Sequence, residues 1–165
     1  MSFDVLLVAN YLVGLDREAP RKRRLTNMAL QKLLYFAEGE HLAERGRSLF
    51  DNAIEAWEYG PVVPDAYHAF KLSGSKPIDK PASTLDTDGR VWRWVTPTLP
   101  TQPNTRYERE LLARIYKKLG TLPAARLMAA SHAKGGPWSQ VYQQGMRHVE
   151  IPRPMLQQYF KAHPV

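Results

Sequence analysis

The stretch that decides the fold is LTNMALQKLLYFAEGEHLAERG, Leu25–Gly46. Thr26 is a natural N-cap, and Gly46 marks a stop. Leu30, Leu33, Leu34, Ala37 and His41 recur at helical spacing and form one stripe. Met28, Tyr35 and Leu42 widen that stripe until most of the circumference is apolar. A helix of this kind lies at the centre of a domain, with other elements assembled around it. Gln31 and Lys32 are the exceptions, two adjacent polar residues on the central helix.

Toward the N-terminus, FDVLLVANYLV (Phe3–Val13) reads as a first helix, with Ser2 as its cap and Gly14 as its end. The basic run Arg21, Lys22, Arg23 and Arg24 follows. On the other side, SLFDNAIEAWEY (Ser48–Tyr59) reads as loop and then a short strand, with Ile54 and Ala56 alternating against Trp57 and Tyr59. Gly60-Pro61 is expected to break that strand, and Pro64 to open a helix on which Tyr67 and Phe70 share a face. The segment from Trp57 to Tyr67 is therefore a stiff aromatic elbow. Its prolines restrict the backbone while Gly60 permits a sharp turn. Two readings fit it: packing of the β element onto the central helix, or a rigid aromatic platform for another protein.

Beyond a polar loop, Asp88-Gly89 signals a turn into the strand RVWRWVT, Arg90–Thr96. Trp92 and Trp94 share a face there, which is expected to pack into the core with Arg93 toward water. Base stacking by the two indoles is the alternative. Thr105 and Glu108 match a capping box that opens the helix RYERELLARIYKKLG, with Leu111, Leu112, Ile115, Tyr116 and Leu119 on its buried stripe and Gly120 at its end. Three shorter helices follow, in TLPAARLMAASH, GGPWSQVYQQG and PRPMLQQYFKA. The expected architecture is a single domain over residues 1–165. It is mainly α, a compact bundle of about six helices with a small antiparallel β element.

Composition narrows the function. Apolar residues make up 44% of the 165, charged residues 24%, and there is no cysteine, which excludes disulfides, thiol nucleophiles and thiolate zinc sites. The N-terminal apolar run carries Asp4 and lacks a basic leader and a small-residue cleavage site, so a cytoplasmic protein is expected. The five histidines show no ligand spacing, and no nucleophile elbow or phosphate-cradling glycine loop occurs. The expectation is a protein without catalysis, metal or cofactor. His132, in a Gly-rich setting, is the one residue on which an enzyme reading could rest. A net charge of +7 favours an anionic partner, and Arg21, Lys22, Arg23 and Arg24 would then be the nucleic-acid contact.

The segment Leu30–Phe70, LQKLLYFAEGEHLAERGRSLFDNAIEAWEYGPVVPDAYHAF, resembles the signature of the SocA-like antitoxin family, or Panacea domain. SHAKGGPW (Ser131–Trp138) and IPRPMLQQYF (Ile151–Phe160) resemble its later motifs, with Ser131 where the family usually has threonine. The resemblance implies a mainly helical cytoplasmic protein of bacteria, prophages or mobile elements, encoded beside a protein toxin that it neutralises by direct contact. It also implies a variant mode, in which a Clp-type protease receives the toxin. The motif positions carried over are Gln31, Lys32, Leu33, Tyr35, Trp57, Tyr59, Gly60, Pro61, Val62, Tyr67, His132, Pro137 and Trp138. If the elbow is core, replacing a buried Trp57 by alanine costs about 3–5 kcal/mol. Lys32 and Tyr59, with polar ends expected to reach water, should tolerate alanine better.

Overall fold

The computed structural model describes residues 2–20 and 25–165. Seven α-helices appear among them: α1 (Val5–Glu18), α2 (Asn27–Arg45), α3 (Pro64–Ala69), α4 (Arg106–Leu119), α5 (Ala124–Ser131), α6 (Pro137–Val141) and α7 (Arg153–Ala162). Two separate antiparallel hairpins complete the fold: β1 (Glu55–Trp57) with β2 (Gly60–Val62), and β3 (Thr84–Asp86) with β4 (Arg93–Val95). The mainly α reading with a small β component holds.

Helix α2 is the axis of the bundle. Thr26 caps it by accepting from Ala29 N, and Gly46, in the left-handed region at φ 68°, ends it. Every residue from Ala29 to Leu42 is buried, with α1, α4, α5 and α7 packed against it. The most extensive packing is with α7. There Phe160 meets Tyr35 and Phe36 edge-on at centroid distances of 5.4 and 6.0 Å. Gly39 makes this possible, because a Cβ at that position would fall 2.1 Å from the Phe160 ring. Glu38, also buried, joins the same two helices. Its carboxylate accepts from Arg153 Nε at 2.9 Å and from Leu49 N at 2.8 Å. Burial pushes its pKa up, and the Arg153 charge and the backbone donors oppose that shift.

Several boundaries differ from expectation. Asp4 rather than Ser2 caps α1, its carboxylate accepting from Leu6 N, while the Ser2 hydroxyl donates to Asp51. Helix α1 runs through Gly14 and stops at Ala19, which is extended because Pro20 follows it. No capping box forms at α4. The Thr105 hydroxyl donates to the carbonyls of Pro100 and Gln102, and Glu108 turns inward to Arg47 at 3.0 Å. Gly60-Pro61 does not end the strand but forms the returning one, with Trp57 paired to Gly60 and Ala56 to Pro61. Strand β4 covers only part of RVWRWVT, and Trp92 and Trp94 are 70% and 73% exposed instead of packed in the core. Trp92 lies outside the strand, and Arg93 between the two indoles is exposed as well, so alternation over the strand did not locate the core.

The Gly39–Phe160 approach yields a paired prediction. Gly39→Ala should lower the melting temperature clearly, since forcing a methyl into a packed core costs about 1–3 kcal/mol or more. Adding Phe160→Leu should recover part of that loss, measured by thermal melts of the two variants and wild type. Additive losses would place the strain elsewhere.

Candidate functional site

The elbow is built from side chains of four helices that meet the β1–β2 hairpin. Gln31 on α2 accepts from Val63 N at 2.9 Å and donates to Asn27 Oδ1 at 2.9 Å. Asn27 in turn donates to the Tyr67 carbonyl at 2.9 Å, so two amides on α2 fix the entry into α3. Lys32 is 1% exposed and directs Nζ to the Pro61 carbonyl at 3.2 Å and to Met28 Sδ at 3.4 Å. From the other side, Trp138 on α6 donates its indole N–H to the Trp57 carbonyl at 2.7 Å. Side chains distant in sequence thus hold both strands, Lys32 at Pro61 and Trp138 at Trp57.

Gly60 sits where these groups converge. Its φ of 109° disfavours any side chain, and a Cβ would lie 2.8 Å from Lys32 Cε and 3.0 Å from Ser131 Oγ. His132 stacks on Trp138 with centroids 3.6 Å apart, and Trp138 stacks on Tyr142 at 4.8 Å. The imidazole also hydrogen-bonds the Tyr59 backbone; burial and then the Lys32 charge lower its pKa, and that hydrogen bond opposes them. Its Nε2 has no hydrogen-bond partner among the described residues. The charged group acting on His132 is a lysine.

Most of the expected site residues therefore meet in space: Gln31, Lys32, Trp57, Gly60, Pro61, Val62, His132, Pro137 and Trp138. Pro61, Val62 and Pro137 are buried, Pro137 at the first position of α6. Tyr67 supports Trp57 edge-on at 5.0 Å. Tyr35 stands apart, buried against Phe36 and Phe160, with its phenol pKa pushed up first by burial and then by Tyr159. Lys32, Trp57 and Tyr59 do not form one exposed patch. Lys32 is underneath the hairpin, Trp57 is half-buried with its indole N–H on Glu55 at 2.7 Å, and Tyr59 at the tip is 58% exposed. The expected order of tolerance also changes, because Lys32 is the more deeply buried residue and Trp57 the less.

Sequence reasoning missed Asn27, Glu55 and Tyr142. Asn27 and Tyr142 each stand four residues from a motif residue on a helix, a spacing that brings side chains together. Beside the hairpin lies an open groove of about 390 Å³, lined by Trp57, Glu58, Tyr142, Met146, Arg147 and His148. Its polar groups are partly self-satisfied, with His148 Nδ1 3.4 Å from the Glu55 carboxylate. The basic run Arg21, Lys22, Arg23 and Arg24 lies outside the described residues. No helix among the described residues is long and apolar enough to cross a membrane.

The family model for the SocA-like antitoxin, Panacea domain, matches residues 30–139. That span opens on α2 and closes just after Trp138, so it takes in Gln31, Lys32, the β1–β2 hairpin, His132 and Trp138, while Asn27 and Tyr142 lie outside it. Antitoxin SocA of Caulobacter vibrioides (strain NA1000 / CB15N) is 39% identical over 140 residues, covering 85% of this chain and 71% of that protein. No solved structure matches.

Burial lowers the Lys32 pKa from 10.5 to about 7. Between those two values the unfolded chain keeps a proton that the folded chain has released. Stability therefore rises with pH across that window, and below pH 7 both states are charged and the full penalty of a buried ammonium applies. The melting temperature of wild type should accordingly gain on that of Lys32→Met as pH goes from 7 to 9.5. Parallel profiles would show that Lys32 does not titrate in this way.

Proposed function

This chain belongs to the SocA-like antitoxin family with a Panacea domain, and from that premise we propose that it neutralises one cognate protein toxin by direct contact in the cytoplasm, without catalysis. The observation that carries the reading is the use made of the family-like motif. Gln31, Lys32, His132 and Trp138 each direct a polar atom to the protein's own backbone, and Gly60 lies against the Lys32 and Ser131 side chains. On this reading the motif is a scaffold that keeps the hairpin in one shape, and the toxin is met by side chains outside it. Tyr59 at the tip is the motif side chain most open to such a contact.

Blocking is favoured over delivery to a protease because a contact surface suffices for it. A toxin held in a complex should remain at full level in the cell, whereas a delivered toxin should disappear from it. The test is expression of the toxic reading frame beside this gene, alone and with the wild-type protein. Growth should be restored, and the intact toxin should co-purify with this chain. Failure of rescue would overturn the antitoxin reading, and rescue with loss of the toxin would favour protease delivery. Trp57→Ala should weaken rescue chiefly by lowering the amount of folded protein. Tyr59→Ala should leave the melting temperature near that of wild type, so any loss of rescue there is a contact effect.

A further inference from the structure

The β3–β4 hairpin is mounted with care and then left uncovered. At its foot the buried Asn10 of α1 donates Nδ2 to the carbonyls of Ala82 at 2.9 Å and Pro97 at 2.7 Å, and accepts from Ala82 N at 2.8 Å. One side chain thereby ties both legs of the hairpin to the bundle. Above it the hydroxyls of Ser83 and Thr96 are 3.0 Å apart, and Arg93 Nε reaches Asp86 at 3.2 Å across a paired position. A buried amide with this many bonds fixes a direction as well as a position.

What the mounting presents is apolar. Leu85 and Trp94 are paired across the strands, and Trp92 lies two residues before Trp94, just outside β4. They are 41%, 73% and 70% exposed, with Val91 at 77% beside them. An indole covers about 150–250 Å² when buried, so two of them on an ordered ribbon hold a large unused contact area. Aromatic anchors on a pre-ordered frame are the usual carriers of interface energy, because little freedom remains to be lost on binding.

We propose that the Leu85–Trp92–Trp94 face is where this protein grips its toxin, and that the matching site on the toxin is an apolar pocket with a largely uncharged rim. The inference rests on the antitoxin reading above. The local charge selects this partner over a polyanion. Asp86 and Asp88 offset Arg90 and Arg93 on the hairpin, although the chain as a whole carries +7. A strand of nucleic acid or an anionic membrane calls for surplus cations around the rings, and a protein pocket does not.

The test uses the full chain and the product of the neighbouring toxic reading frame, with wild type, Trp92→Ser/Trp94→Ser and, as control, Leu72→Ser, an isolated leucine 96% exposed. The double variant should melt like wild type, bind the toxin at least about 30-fold more weakly and fail to rescue growth. Leu72→Ser should behave as wild type in all three. If the double variant melts early, Trp92→Ser alone, at a position outside the strand, carries the same comparison. A double variant that binds and rescues like wild type overturns this inference and leaves the antitoxin reading standing. A wild-type protein that neither binds nor rescues overturns both. A dimer, or salt-sensitive binding to a single-stranded oligonucleotide, that the double variant loses while still holding the toxin would assign the face to another occupant and overturn the inference as well.

Discussion

A helix buried on all sides sets the terms for the rest of this molecule. From Ala29 to Leu42 no face of α2 is left to water, yet that stretch carries Gln31, Lys32, Glu38, Glu40 and His41. A polar group without a partner in such a place costs several kcal/mol, so each must be met by some other element. Gln31 and Lys32 draw in the β1–β2 hairpin. Glu38 draws in Arg153 of α7 and the backbone at Leu49. Glu40 accepts from Val165 N, and His41 bonds the Arg47 carbonyl. The polar residues of the central helix thus act as attachment points, each giving direction to a neighbour that hydrophobic packing alone would leave free to slide.

The elbow shows how little secondary structure such attachments require. A two-stranded hairpin with three residues per strand is not stable by itself in water. Here the Pro61 carbonyl takes Lys32 and the Trp57 carbonyl takes Trp138, while Ala56 N and Ile54 O pair with the segment Val149–Ile151. A buried lysine is well suited to this role. Its long stem fills the space beneath Gly60, and burial lowers the cost of giving up its proton while the amine still donates to the Pro61 carbonyl. The stack of His132, Trp138 and Tyr142 closes the same space from the far side.

The two hairpins spend their aromatic residues in opposite ways. Around β1–β2, the rings of Trp57, Tyr67, His132 and Trp138 pack on one another and on the chain's own backbone. In β3–β4 the polar residues do the fastening, through Asn10, Ser83, Thr96 and the Asp86–Arg93 pair, and the indoles face outward. The first arrangement favours a fixed shape and the second an available surface.

The sequence by itself determined the central helix, its cap at Thr26 and stop at Gly46, and the buried stripe of α4, because helical periodicity and capping are local properties. It also brought the elbow, His132 and Trp138 to attention as one motif chain. It did not determine which way they face. Lys32 reads as a surface residue on any local criterion, and only the hairpin packed over α2 buries it. Trp92 and Trp94 read as core by alternation, yet both are exposed. The Thr105–Glu108 pair fits a capping box until Arg47, 61 residues earlier, claims the glutamate. Periodicity tells which residues share a face, but burial depends on what arrives from elsewhere in the chain, and that is decided only when the tertiary structure closes.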